Sequence, residues 1–183
     1  MGQDMVSVLV KDHEEVKELF REIESATDGK TRRAKADQVT AELVRHSVAE
    51  EMYLYPAARK VLSNGDQLAD HEIEEHAEAE QLLKRWEKMD GDDPEFMSVF
   101  REMSQAVLHH IEEEEGTLFP ELQTKLDANE MVQLGEKIDK AKKMAPTRPH
   151  PSAPDEPPMN KILGAPTGVV DRVRDLMSGR KTG

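Results

Sequence analysis

Two stretches of the chain repeat one another, HSVAEEMYLYP at 46–56 and HIEEEEGTLFP at 110–120. At an offset of 64 they pair His46 with His110, Glu50 with Glu114, Glu51 with Glu115, Leu54 with Leu118, Tyr55 with Phe119 and Pro56 with Pro120. A carboxylate four residues after a histidine projects from the same face of a helix. One further histidine precedes each copy, His13 in DHEEVKELF and His76 in EHAEAEQLL, at an offset of 63. The two repeats supply four imidazoles and two carboxylates, a donor set suited to a pair of metal ions. The chain has no cysteine, so sulfur ligation, disulfides and thiol nucleophiles are excluded together. Imidazole and carboxylate without sulfur suit iron, manganese or zinc. Two glutamates shared between two metals, with two histidines on each, follow the inward-pointing logic of carboxylate-bridged bundles.

The elements that must position these donors are helical. Asp4 caps a first helix carrying Met5, Leu9, His13, Val16, Phe20 and Ile23 on one face, ending near Asp28-Gly29. Thr31 is read as the cap of a second helix with Val39, Leu43, His46, Glu50, Leu54 and Ala57, running to about Ser63. Pro56 falls inside it and predicts a kink or local break. A third helix, about 67–89, carries Leu68, Glu72, His76, Ala79, Leu83 and Trp86. GDDP at 91–94 reads as a loop, a cap and then Pro94 at the first position of a fourth helix. That helix carries Phe96, Phe100, Met103, Val107, His110, Glu114 and Leu118. Every candidate ligand interrupts an otherwise apolar stripe. The expectation is an all-α, up-down-up-down four-helix bundle over residues 1–144, whose halves are related by a pseudo-twofold axis. A short extra helix, about 129–144, is expected to pack outside it.

Composition changes after Met144. APTRPHPSAPDEPP holds six prolines in fourteen residues and predicts an extended linker over 145–160. Residues 161–183 form an amphipathic segment with five Lys/Arg against two Asp. Docking of this segment onto the acidic bundle is the plainer reading, and a membrane or partner anchor the other. The net charge of −13, from 38 acidic and 25 basic residues, disfavours nucleic acid and anionic membranes as partners. With neither a signal peptide nor a run of roughly 20 apolar residues, the expectation is a cytoplasmic protein without a transmembrane segment, a monomer or weak dimer.

Over residues 1–144 the doubled HxxxE motif and the two isolated histidines resemble the hemerythrin family in its bacterial HHE cation-binding form. The resemblance implies a non-heme di-iron centre: two iron ions joined by an oxo or hydroxo bridge. By motif position its ligands are His13, His46 and Glu50 from one repeat and His76, His110 and Glu114 from the other, with Glu50 and Glu114 bridging. Oxygen-carrying members have a fifth histidine and a shorter second carboxylate five residues after its histidine. Here the residue at that place is Glu115, rotated about 140° from His110, whereas Glu114 is about 40° away, which selects Glu114. The fifth-histidine position holds Glu72, for which two roles stay open: an additional ligand to the metal at His76 and His110, or a carboxylate hydrogen-bonded behind the ligands. Tyr53, seven residues after His46, is read as a donor behind the ligands, a radical trap, or simply a core residue. His71 and His109 fall off the ligand faces, and His150, in the proline-rich run, is expected in solvent.

The function this implies is binding of, or reaction with, a small oxidant: dioxygen, hydrogen peroxide or nitric oxide, in oxidative or nitrosative stress. Peroxidase-like, catalase-like or nitric oxide peroxidase activity is open. The alternatives are an iron or oxygen sensor acting through a partner and an iron–sulfur-repair type of nitric oxide response protein. The anionic Glu72 tilts the expectation away from reversible oxygen carriage.

Overall fold

In a computed structural model of the chain, residues 2–151, 170, 171 and 175 are described. Helix α1 spans Met5–Ser25 and is capped by Asp4, whose carboxylate accepts the Ser7 N–H at 3.0 Å. Helix α2 spans Gly29–Ala49, passes through a π-helical turn at Glu50–Leu54 and continues as α3, Tyr55–Val61. Helix α4 spans Gly65–Trp86. Helix α5 spans Phe96–Glu113, passes through a second π-turn at Glu114–Leu118 and continues as α6, Phe119–Lys125. These four rods form the expected bundle. Helix α7, Ala128–Met144, lies against α1 and α2 and adds Met131, Ile138 and Ala141 to the core.

Several boundaries differ from the sequence expectation. The cap of α2 is Asp28, which accepts both the N–H and the hydroxyl of Thr31, so Thr31 is the capped residue and not the cap. Helix α5 begins at Phe96, two residues beyond Pro94. Asp93 accepts the Glu95 N–H on its side chain and the Phe96 N–H on its carbonyl, and this turn consumes the residues that would otherwise open the helix. Gly65 starts α4 where a Cβ would meet the Ala58 carbonyl oxygen at 2.2 Å. Only glycine permits so close a turn there.

The prolines produce π-turns. Pro56 and Pro120 lack the N–H that an α-helix requires. The preceding residues bond instead five back, Tyr55 N–H to Glu50 O and Phe119 N–H to Glu114 O. Each rod therefore gains one residue without breaking.

Two apolar clusters fill the interior. One gathers Met5, Leu9, Leu54, Phe119, Leu122 and Ile138 at one end; the other gathers Phe20, Ile23, Trp86, Phe96, Phe100 and Met103 at the opposite end. The buried histidines and glutamates lie between them. No described helix is long and apolar enough to cross a membrane.

Candidate metal centre

The helical period aims both HxxxE pairs and both isolated histidines at one level of the bundle. His13, His46, Glu50, His76, His110 and Glu114 are all buried, the two glutamates completely. Nε2 of His13 and Nε2 of His46 are 3.2 Å apart, and Nε2 of His76 and Nε2 of His110 are 3.1 Å apart. Glu50 spans the two pairs, with Oε1 3.0 Å from His46 Nε2 and Oε2 3.4 Å from His76 Nε2. Glu114 faces both with one oxygen, Oε2, 3.4 Å from His13 Nε2 and 3.7 Å from His110 Nε2. The donors of His13, His46, Glu50 and Glu114 lie within 4.8 Å of one another, as do those of Glu50, His76 and His110. Two adjacent cation positions share the two carboxylates.

The polar accounting fits cations. Glu50 Oε1, Glu72 Oε2 and Glu114 Oε2 are buried with no hydrogen-bond donor, a costly state for a carboxylate unless a proton or a metal faces it. Burial works against charge on His46, but Glu50 and Asp12 hold its imidazolium up to about 10. His76 and His110 are likewise raised, burial opposing charge and the surrounding carboxylates prevailing.

Each histidine turns its other nitrogen to a carboxylate. Nδ1 of His13 is 2.8 Å from Glu115, and Nδ1 of His76 is 3.0 Å from Glu51. Nδ1 of His46 is 3.3 Å from Asp12, and Nδ1 of His110 is 2.9 Å from Glu75. Lys142 of α7 in turn bonds Asp12. Such partners fix the ring and its tautomer, so that Nε2 presents its lone pair to a metal. The repeat extends to this outer layer. Asp12 and Glu75 each stand one residue before an isolated histidine, and Glu51 and Glu115 each five after a paired one.

The comparisons agree with this geometry. The sequence profile of the hemerythrin HHE cation binding domain matches residues 4–122. The chain belongs to the hemerythrin HHE family. It is similar to an uncharacterised hemerythrin-like protein of Schizosaccharomyces pombe, 32% identical over 92% of this chain and 84% of that one. A DNA nickase of a Nostoc species is 30% identical over 76% of this chain but only 40% of its own length. Among solved structures, a hemerythrin HHE domain protein of Mycobacterium kansasii, an Rv2633c homologue, superposes with a TM-score of 0.66 at 26% identity, covering 77% of this chain and 86% of that one. The protein is thus a metal-binding hemerythrin-like protein.

The two halves of this hemerythrin-like centre are not equal. Beside His76, the buried Tyr55 hydroxyl lies 3.1 Å from His76 Nε2, 3.2 Å from Glu114 Oε1 and 3.5 Å from Glu50 Oε2. Its repeat partner Phe119 instead stacks on His13, ring centroids 5.8 Å apart. Burial, with Glu50 and Glu114 reinforcing it, pushes the Tyr55 phenol well above its usual range, so it keeps its proton. Glu72 Oε2 stands 2.8 Å from His110 Nδ1, but that nitrogen is aligned on Glu75. Burial, and the Glu114 and Glu75 charges against the pull of His110, raise the Glu72 carboxyl. The position matching Glu72 in the other repeat is the fully buried Leu9. One half is therefore bordered by Leu9 and Phe119, the other by Glu72 and Tyr55.

Tyr55 sits among the ligands, while Tyr53 is half-buried and packs on the apolar cluster containing Leu54. On an uninterrupted α-helix Tyr53 would stand within about 20° of His46 and Tyr55 about 180° away. The extra residue of the π-turn makes each later side chain lag by about 100°. Tyr55 swings onto the Glu50 side, and Tyr53 leaves it.

A cavity of about 120 Å³ reaches His13, His46, His76 and His110. Its walls are mostly apolar, with Val16, Leu43, Val44, Ile73, Val107 and Ile111 among them, and His150 and Pro151 border it. His150 is not free in solvent as expected. Its N–H bonds Glu80 at 2.6 Å and its Nε2 lies 2.9 Å from Asp171. Residues 147–150 are strapped to the bundle by Arg148 on Glu87 at 2.6 Å and by the Lys84 ammonium on the Pro149 carbonyl at 3.0 Å. Asp175 takes the Thr147 hydroxyl at 2.6 Å and the Arg148 guanidinium at 2.7 Å. The expected helix over 161–183 otherwise lies outside the described residues.

Proposed function

We propose that this chain is a di-iron hemerythrin-like protein that reacts with a small oxidant, hydrogen peroxide or nitric oxide, rather than carrying dioxygen reversibly. His13 and His46 would hold one iron and His76 and His110 the other, with Glu50 and Glu114 shared and an oxo or hydroxo bridge between the ions. The observation that carries the reading is the cavity of about 120 Å³ that ends on the four histidines. One water needs roughly 10–15 Å³ on the same measure, so a small oxidant has ample room. The space fits a diatomic molecule or a peroxide.

When bound, two irons supply the two electrons that reduction of a peroxide requires. The chain's own residues do the rest. The apolar walls exclude bulk water. Asp12, Glu51, Glu75 and Glu115 hold the four imidazoles in the ligating orientation. Tyr55 keeps a proton at its Oη, in the centre of the cluster, where an incoming oxygen can take it. Glu72, 2.8 Å from His110 Nδ1, adds a carboxylate behind the His76 and His110 half, and negative charge behind a ligating imidazole strengthens it as a donor and favours the ferric state over the ferrous. That bias opposes reversible release of dioxygen. The other half has the apolar Leu9 at the position matching Glu72, and the cavity reaches the histidines of both halves.

Resemblance to a DNA nickase does not extend the reading to nucleic acid, because the net charge of −13 repels a phosphate backbone. The test is to keep the iron-loaded protein reduced with excess ascorbate, which supplies two electrons per cycle, and to add dioxygen, hydrogen peroxide and nitric oxide in separate runs. Multiple turnovers of peroxide or nitric oxide are expected. A stable oxygenated form that releases its dioxygen under vacuum would contradict the proposal.

A further inference from the structure

Outside the buried cluster, the chain carries the same motif again. His71-x-x-x-Glu75 on α4 and His109-x-x-x-Glu113 on α5 are two further HxxxE pairs, each shifted by one position from a residue of the inner site. The bundle sets them side by side on its outer surface. His71 Nε2 lies 3.1 Å from Glu113 Oε2 and 3.9 Å from Glu75 Oε1. His109 Nε2 lies 3.8 Å from Glu113 Oε1 and 4.0 Å from the same Glu75 Oε1. The donors of His71, Glu75 and Glu113 fall within 4.8 Å of one another.

We propose that His71, Glu75, His109 and Glu113 form a peripheral binding site for one divalent cation of borderline character, Zn²⁺ being the probe of choice. The donor types are right, two imidazoles and two carboxylates. The spacing is close: bonds of 2.0–2.1 Å in a tetrahedron put neighbouring donors about 3.3 Å apart. The four histidine–carboxylate pairs here are 3.1–4.0 Å apart, and His109 stands just outside the trio of His71, Glu75 and Glu113 whose donors all converge. The histidine side chains, 51% and 62% exposed, have room to make the small rotation that closes them. A plain surface ion-pair network needs charged histidines and shows no preference for a metal, which gives the test its contrast.

The site is wired inward. Glu75 gives Oε1 to the surface histidines and Oε2 to Nδ1 of the buried His110. A cation on the outside draws charge from the carboxylate that supports His110, so occupancy of the outer site changes the donor strength of an inner ligand. This second part rests on the di-iron reading above. The binding itself does not.

The full-length protein, as purified, is titrated with Zn²⁺ against a fluorescent zinc indicator, beside the H71A/H109A variant, with iron content measured before and after. Both substituted residues are exposed, and circular dichroism verifies the fold. Wild type is expected to bind one equivalent of zinc more than the variant, with iron retained and with affinity at least about tenfold higher, since even outer partners of a metal are worth 10–100-fold. Equal stoichiometry and affinity in the two proteins would overturn the site. In the iron-loaded protein, one equivalent of Zn²⁺ is expected to shift the iron absorption bands in wild type and not in H71A/H109A. Zinc binding without that shift would overturn the coupling through Glu75.

Discussion

The Tyr55 hydroxyl lies 3.2 Å from Glu114 Oε1, joining two residues 59 positions apart in the chain. The two repeats meet there through unlike partners, because the residue matching Tyr55 is Phe119. A phenol that keeps its proton there donates to the shared carboxylate and stands ready for an oxidant.

Tyr55→Phe removes only that hydroxyl. The ring is fully buried, so its packing is retained and iron content stays the same. Peroxide turnover is expected to fall by about a hundredfold or more, the lower end for loss of a positioned proton donor. Steady-state oxygen or peroxide electrode traces on the two iron-loaded proteins check this, and equal rates would remove Tyr55 from the chemistry.

Glu51→Gln and Glu115→Gln act on opposite halves. Glu51 supports His76 and Glu115 supports His13. Each variant is expected to lose about 10–100-fold in affinity for one of the two ions, since the outer partner sets the basicity of the ligating ring. Iron titrations followed by metal analysis should give one tight and one weak equivalent in each case. Two unchanged equivalents would show that these carboxylates are only surface charges.

Metal uptake is coupled to protons. In the metal-free protein the His46 imidazolium is held up to about 10, above the ordinary 6.5. It is therefore charged at neutral pH and must lose its proton to bind a cation. Affinity for Fe²⁺ is expected to rise with pH from 6 to 8, and loading in weak buffer to release protons. The same shift sets stability. His46 stabilises the metal-free fold fully below its unfolded value, and that contribution disappears as pH rises through about 10. Glu50, whose pKa is lowered despite burial because His46 and His76 face it, contributes above the ordinary carboxyl range and is lost in acid. Melting temperatures of metal-free protein should fall on both sides, and those of loaded protein should fall less on the alkaline side.

Arg148 ties the strap at the cavity edge to both Glu87 and Asp175. All three side chains are largely buried, and Arg148→Ala takes the guanidinium from two carboxylates, leaving Glu87 with Lys84 and Asp175 with the Thr147 hydroxyl. A loss of about 1.5–3 kcal/mol is expected, the usual worth of a hydrogen bond to a charged group, together with faster amide exchange over residues 147–151. Unchanged exchange would mean that the strap is held by other contacts.

The inner ligands were legible because their spacing is that of an α-helix. His46 and Glu50, or His110 and Glu114, are four apart within regular turns, and the 63- and 64-residue offsets announce the symmetry. Tyr55 was hidden because a π-turn follows Glu50 and shifts the phase, which made Tyr53 look like the inward residue. Pro56 in both readings marked the place, but proline alone does not distinguish a kink from a wider turn. The outer carboxylates left a signal that was not used. An acid precedes each isolated histidine, Asp12 and Glu75, and another follows each paired glutamate, Glu51 and Glu115. Each reaches a histidine of a different helix, a contact that no local periodicity encodes. The position of His150 depended on ion pairs such as Arg148 with Glu87, 61 residues apart, and was equally invisible.

The central claim is a di-iron centre with unequal halves. Mössbauer spectroscopy of protein loaded with ⁵⁷Fe, together with metal analysis, tests it most directly. The account predicts two irons per chain and two quadrupole doublets of equal area, one from the half bordered by Leu9 and Phe119 and one from the half bordered by Glu72 and Tyr55. One iron per chain, or a single doublet for both, would contradict it.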